Sequence, residues 1–583
     1  MGSYTPNYME MDSVQSPSTV SSSIAPSPAT EAAQSDGQFV YLHNLSDNEY
    51  STFKANTDLL FCGRIPIDQQ PYTLATIAQH LDECVYPCYD NEKNYLLSDV
   101  LCNWAIEQQK LSVGSVWTQA NNYKKLNLIS AQFEYFGEIL EQTLNGLLNL
   151  KTYHKFYQPF VILYEKFKDL CHHFLYYSVI VSKQPPGVIV KCGEAIASRR
   201  SRFWFNSEIR VLGGKKFLID TMNAGSQISC HLITDETAKQ LLSNAYKDIT
   251  DNEDFTIEPM VAHLSSKNFF ETGTSALFED MRISKKEQLR RESVAGRRYC
   301  ICYTISLACK HDIQLIGKKV SLPFAVLVGP KTEVEAKVFL ERSFADLVRK
   351  PLCEIPSEVG YEMMAVALEM KFQSIIELPL KSTDHIPIIK PRSLSNQAKN
   401  HIIMRLKPNR ENKILLENFL KLPVAEDFVN KKNSSDGEWK LIPFYEWFFK
   451  LADIVNKNLS TMWNNGFIYG FCSKDDAEYL LRSCTYSTLL IRFSDIEYGR
   501  IKISVKHQNG EIKHRWYDTH ELASRNLQKE LTTNPNFHGI NCIYPNINLE
   551  LALGNTEPAI PQNKKARHLQ PSLAYFDNQR SAT

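Results

Sequence analysis

The break at Lys183-Gln-Pro-Pro-Gly187 constrains this chain more than any other feature. Ahead of it, apolar residues return every three or four positions. Behind it they come in short runs separated by polar turns. Two successive prolines cannot sit inside a helix, because each lacks an N–H donor and its ring collides with the carbonyl four residues back. The chain is therefore a helical part joined to a β part. At 583 residues it holds several domains, since one hydrophobic core rarely serves much beyond about 250–300 residues.

The helical part reads from about residue 70 to the break. LLSDVLCNWAIEQQKL opens on a Ser98-Asp99 start signal, with Leu97, Leu101, Trp104 and Ile106 as its apolar face. The stretch that follows repeats Leu126, Ile129, Phe133, Phe136, Ile139, Leu140 and Leu144 at helical spacing, and HKFYQPFVILYEKFKDLCHHFLYYSVIV forms a third long helix up to the break. Long amphipathic helices in series imply an antiparallel bundle or coiled coil. Residues 1 to about 38 are rich in Ser, Thr, Pro and Ala, a composition that buries too little surface to offset ordering entropy, and read as a disordered arm.

Between about 188 and 345 the runs PGVIVK, EIRVLGGKKFLID, SQISCHLIT, YCICYTISLA and DIQLIGKKVSLPFAVLV read as strands at the spacing of a sandwich or barrel. Helix returns from about 357 to 460 in YEMMAVALEMKF, NKILLENFLKL and PFYEWFFKLADIVNKNL. The following hundred residues mix helix (SKDDAEYLLRS, HELASRNLQKEL) with strands, and the tail after Gly554 is polar. Sixty-five basic residues balance 65 acidic ones, so affinity for nucleic acid requires a local patch. The 14 cysteines lack a paired framework, and Cys84 and Cys88 have no partner cluster at zinc-site spacing; reduced cysteines imply an intracellular protein. The N-terminus carries no apolar signal core, and no run of about 18 apolar residues suggests a membrane span. No P-loop, nucleophile elbow, kinase signature or metal-ligand cluster is evident, so neither an enzyme, a cofactor nor a metal is expected.

TLLIRFSD, Thr488 to Asp495, places Arg492 inside an apolar β-prone run. A permanent charge there is costly unless it meets an anion. A strand arginine fenced by hydroxyls suits a phosphate, because its planar fork donates two parallel charge-assisted hydrogen bonds. A lone strand arginine otherwise snorkels to the surface.

Four stretches, in order, resemble the STAT family of signal-activated transcription factors: SVIVSKQPPGVIVK; ALFEDMRISKKEQLRRESVAGRRYCICYTISL with GKKVSLPFAVLV; FYEWFFKLADIVNKNLSTMWNNGFIYGFCSKDDAEYLL; and TLLIRFSDIEYGRIKISV with CIYPNINLELALG. The resemblance implies a multidomain α and β architecture. Residues 1–40 would be a disordered arm, 41–180 a shortened helical coiled-coil bundle, and 181–345 an Ig-like β-sandwich DNA-binding domain. A helical linker domain would span 346–458, an α+β SH2 domain 459–556, and a flexible tail 557–583. The family's N-terminal domain and acidic C-terminal activation domain have no counterpart in this reading, and the first helix of the bundle is expected to be absent or shortened.

By position, the resemblance makes Arg492 the phosphotyrosine-binding arginine, with Lys474, Ser494 and Asp495 around the same phosphate. Tyr575, 31 residues past Tyr544, falls where the family carries its activating phosphotyrosine, although Phe576-Asp577 departs from the usual following residues. Two copies exchanging such tails would form a two-fold dimer. The basic island Arg282, Lys285, Lys286, Arg290, Arg291, Arg297 and Arg298, with Lys215, Lys318, Arg349 and Lys350 in other loops, would grip the backbone of a pseudo-palindromic duplex. An isolated charge run is more often a solvated loop. Implied partners are double-stranded DNA, a second STAT-like chain, an upstream tyrosine kinase or phosphotyrosine receptor, and transcriptional co-regulators, with cytoplasmic and nuclear residence. The competing reading is a cytoplasmic phosphotyrosine adaptor that has lost productive DNA binding.

Overall fold

The computed structural model describes residues 36–190, 205–218, 227–244, 248–249, 254–266, 273–285, 296–327, 331–349, 354–377, 390–430 and 437–554. Helix begins at once. Helix α1 (Gly37–Phe61) starts on an Asp36 cap whose carboxylate accepts from the Phe39 N–H. Helix α2 covers residues 70–111 without interruption, its α-helical parts Gln70–His80, Tyr86–Asn94 and Cys102–Leu111 joined by π-helical turns Leu81–Val85 and Tyr95–Leu101. Helices α3 (Val116–Tyr153) and α4 (Gln158–Tyr177) complete the bundle.

Two sequence expectations change here. Ser98-Asp99 is not a helix start but lies within the second π-helical turn, which absorbs the five-residue step between buried Leu96 and Leu101. The last helix stops at Tyr177, and Val179–Lys183 is already strand. Helix α1 was not read from the sequence because its buried stripe, Phe39, Ser46, Phe53, Thr57 and Leu60, is partly polar.

The β part follows as β1 (Val179–Lys183), β2 (Val188–Val190), β3 (Phe205–Val211), β4 (Gln227–Thr234), β5 (Phe255–Glu258), β6 (Val261–Ser266), β7 (Thr274–Lys285), β8 (Tyr299–Ala308), β9 (Gln314–Val320) and β10 (Ala325–Leu327). The main sheet has the order β1-β3-β7-β6-β4-β8-β9, with β5 beside β7. Strand β6 is divided: Val261–His263 pairs with β4, Leu264–Ser266 with β7. The two halves face each other, with Phe278 of β7 against Tyr303 of β8, whose hydroxyl meets Ser207 of β3.

The bundle and this sheet share one hydrophobic core, from Leu126, Phe133 and Phe174 to Ile209, Phe278 and Ile305. A buried polar network crosses the same joint. Arg210 donates to Asn127 at 2.7 Å, and Glu208 accepts from Tyr123 and Ser182, each at 2.7 Å. The closest approach is glycine on glycine: a Cβ on Gly137 of α3 would land on the Gly213 carbonyl oxygen. Gly213 itself has φ +65° and lies against Phe174.

The second body starts at α5 (Thr332–Phe344) and contains β11 (Glu358–Gly360), α6 (Tyr361–Ile376), α7 (Asn396–Arg405), β12 (Lys413–Leu415), β13 (Pro423–Asn430), β14 (Gly437–Pro443) and α8 (Phe444–Ile454). Helix α9 (Lys474–Arg482) then precedes a sheet of order β17-β16-β15-β18-β19, formed by β15 (Thr488–Phe493), β16 (Ile501–Lys506), β17 (Ile512–Tyr517), β18 (Cys542–Ile543) and β19 (Ile547–Asn548). Its core is also continuous: Phe372, Phe444, Trp447 and Trp463 pack with Ile491, Phe493 and Ile503. The two bodies are tied by Gln109, whose amide donates to Arg342 and Ala345 carbonyls at 3.0 and 2.6 Å and accepts from the Leu347 N–H at 3.2 Å. Glu377 accepts from the Val116 N–H at the start of α3 at 2.8 Å. Among the described residues, no helix is long and apolar enough to cross a membrane.

Gly137→Ala tests the shared core. The helix-propensity gain of about 1 kcal/mol is outweighed by a clash with backbone that has no room to give, for a net loss of about 1–3 kcal/mol. Urea unfolding followed by circular dichroism should show the helical and β signals losing stability together.

Candidate functional site

Strand β15 is buried along its whole length. Leu489, Ile491 and Phe493 face the large core, while Leu490 and Arg492 turn the other way, toward α9. Arg492 is 5% exposed. Its Nη1 donates only to the carbonyls of Phe493 at 3.3 Å and Cys472 at 3.5 Å, the latter at the limit of a hydrogen bond. Its Nε is buried without a partner. No carboxylate of a described residue pairs with it, so a fixed positive charge is held in the protein without an acid against it. Burial pushes the nearby Cys472 thiol up to about 12, against the opposing pull of Arg492.

The register places Lys502 of β16 directly opposite Arg492, and Trp516 of β17 opposite Lys502, so all three share a face. One pair along, Ser504 meets His514, their side chains 2.9 Å apart. Helix α9 begins on Ser473, which forms a capping box with Asp476, and Lys474 is the first helical residue, two positions past the carbonyl that Arg492 contacts. Lys474 is exposed and stands 3.6 Å from Glu478. Glu478 also takes Arg482 at 2.8 Å and His514 at 3.0 Å; the His514 hydrogen bond, with the lysine and arginine, holds its carboxyl below the usual range.

Ser494 is 1% exposed, and its hydroxyl donates to Glu497 at 3.1 Å. Glu497 gathers Arg500 at 2.7 Å and Lys502 as well. Burial alone would raise its carboxyl, but Lys502, Ser494 and Arg500 outweigh that and hold it low. Arg500 stacks on Trp516 at 4.4 Å. This part of the sheet therefore has a cation with no acid against it, Arg492, while the cations Lys502, Arg500 and Lys474 are already paired with Glu497 and Glu478.

Asp495 faces elsewhere. Its carboxylate sits 2.8 Å from His401 Nε2 on α7, and its carbonyl accepts from Arg405 at 2.6 Å. The Ser494 carbonyl accepts from the Trp447 indole of α8 at 3.0 Å. Beyond them, Glu426 of β13 pairs with the loop through the Ile496 carbonyl at 2.8 Å and the Tyr498 N–H at 3.0 Å. The loop closing the pocket is thus held by the preceding helical body. Sequence reasoning missed Lys502, Glu497, Glu478 and His514. The two-residue alternation of Lys502, Ser504 and Lys506, folded against TLLIRF across the Tyr-Gly-Arg turn, was the available signal.

In the β part, Arg282 pairs with Glu258 across β7 and β5, at 2.9 Å from Nε. Arg297 meets Asp254 at 2.6 Å, and Arg298, 7% exposed, holds Glu341 of α5 through two contacts of 2.6 and 2.8 Å. Lys215 is exposed, its backbone N–H donating to Glu134 at 3.1 Å; burial pushes the Glu134 carboxyl up to about 7 despite that bond. Lys318 lies on β9 and Arg349 is exposed just after α5. Lys286, Arg290, Arg291, Lys350 and Tyr575 lie outside the described residues, as does the Lys285 side chain.

The family model "Signal transducer and activator of transcription b N-terminal" matches residues 37–176. The protein "Signal transducer and activator of transcription b" of Caenorhabditis elegans is 54% identical over 566 residues, covering 97% of this chain and 98% of that protein.

Asp495→Asn distinguishes a pocket residue from a fastening one. Because its carboxylate meets His401, the substitution should cost about 1–2 kcal/mol of stability, while any affinity for a phosphorylated peptide should change by less than about threefold. Calorimetric titration beside thermal unfolding checks both.

Proposed function

Since the chain belongs to the family of signal transducers and activators of transcription, we propose that it is a signal-activated transcription factor that dimerises through SH2–phosphotyrosine exchange and binds a pseudo-palindromic DNA site. The observation that carries the phosphotyrosine half is Arg492: 5% exposed, on a buried strand, with an unpartnered Nε and no described carboxylate against it. A dianionic phosphate supplies the missing counter-charge and accepts two parallel hydrogen bonds. Lys474 at the start of α9 would add a second cation and the helix N-terminus a favourable dipole. Ser494 would donate to the same phosphate on release from Glu497.

The ligand in this reading is phosphorylated Tyr575 of a second copy, or a phosphotyrosine of an upstream receptor, with a tyrosine kinase as the input. On the DNA side, Lys286, Arg290 and Arg291, with Lys215, Lys318, Arg349 and Lys350, would contact phosphates. The reading places the protein in cytoplasm and nucleus, acting with co-regulators. One observation favours the adaptor alternative. Arg282, Arg297 and Arg298 all make ion pairs within the protein, which leaves the basic island fewer charges for a duplex.

Arg492→Leu should weaken binding of a phosphotyrosine peptide by roughly 100-fold or more while the thermal transition stays near that of the unsubstituted chain. Unchanged affinity removes the SH2 reading. For DNA, charge reversal at Arg290 and Arg291 should lower the magnitude of the log K against log salt slope by about two units. If a palindromic duplex binds no better than a random one and this reversal alters nothing, the adaptor reading stands.

A further inference from the structure

Sequence spacing leaves Cys84 and Cys88 without metal-ligand partners, but the fold brings a partner to Cys84 from a neighbouring helix. Helix α1 lays Glu49 against α2, where its Oε2 stands 2.6 Å from His80 Nε2. Cys84 follows His80 by one helical turn, through the π-helical turn Leu81–Val85. One ligand atom each from Glu49, His80 and Cys84 lies within 4.8 Å of the others. Cys88 is one turn further along α2, partly buried and outside this group. Glu92, fully buried, meets His43 of α1 at 2.9 Å and keeps its Oε2 without a partner. No lysine or arginine pairs with Glu49 or Glu92 among the described ion pairs.

We propose that Glu49, His80 and Cys84 form a zinc site that staples α1 to α2. The donor set decides the metal. A thiol with an imidazole suits Zn²⁺ and excludes Ca²⁺ and Mg²⁺, which require oxygen ligands. Three protein ligands leave the fourth tetrahedral position to water, and Cys84 is exposed, which gives the ion a route in. On binding, the Cys84 thiol loses its proton to solvent as the sulfur–zinc bond forms, and no oxidant or reductant is involved.

The bland reading is that Glu49–His80 is an ion pair fastening two helices and the thiol is a bystander. Titrating the purified, reduced full-length chain with Co²⁺ separates the two. The proposal expects a thiolate-to-cobalt charge-transfer band that saturates at one equivalent and vanishes on adding Zn²⁺. Cys84→Ser and His80→Gln should each weaken binding by more than about tenfold, and Cys102→Ser, further along α2, should leave it unchanged. Zn²⁺ should raise the unfolding temperature of the unsubstituted chain and not that of Cys84→Ser, whose exposed position makes misfolding no explanation. No band, or a band of undiminished affinity in either Cys84→Ser or His80→Gln, overturns the site.

Discussion

A guanidinium held inside a β-strand without a carboxylate costs several kcal/mol unless something compensates. Arg492 is in that position, and much of the carboxy-terminal body is arranged to keep it there. Leu489, Ile491 and Phe493, all at 1% exposure or less, anchor the opposite face of the strand. A slip of one residue would put Arg492 into that core and expose the three apolar side chains. The end of the strand is equally fixed, since Trp447 bonds the Ser494 carbonyl and Arg405 the Asp495 carbonyl. The charge therefore stays within the protein instead of snorkelling out.

That clamp makes the pocket a property of two sequence regions. The loop after β15 runs along β13, and its acid Asp495 faces α7 through His401. The core is continuous across the same boundary. The bundle and the large sheet form the other continuous core, and the two bodies meet through groups as specific as Gln109 and Glu377. The molecule is built as two composite bodies, each made of segments that a reading along the chain takes one at a time.

Much of this was legible in the residues. The apolar stripe from Leu126 to Leu144 and the five strand runs correspond to elements, because each rests on local periodicity, whereas the Pro-Pro-Gly break falls between two strands and the helix ends earlier, at Tyr177. Arg492 stood out for the same reason, as a charge out of keeping with its own strand. What was not legible depended on partners distant in sequence. Glu497 and Lys502 acquire meaning only through the register of β15 and β16. Asp495 was placed at the phosphate by the resemblance, whereas its orientation is set by His401, 94 positions earlier. Helix α1 was unread because Ser46 and Thr57 interrupt its apolar signal, and Glu49 became a neighbour of Cys84 only once α1 and α2 were packed.

The central proposal is that Arg492, a buried cation with no carboxylate against it and an unpartnered Nε, takes a phosphate. The side-chain Nε–H of Arg492 reports on it directly, by nitrogen-15 NMR of the arginine-labelled chain during titration with phosphotyrosine. The account predicts an Nε–H signal that moves strongly downfield and becomes protected from exchange as phosphate is added, while unphosphorylated tyrosine has no effect. A signal already hydrogen-bonded in the free protein, or one that does not respond to phosphotyrosine, would contradict it.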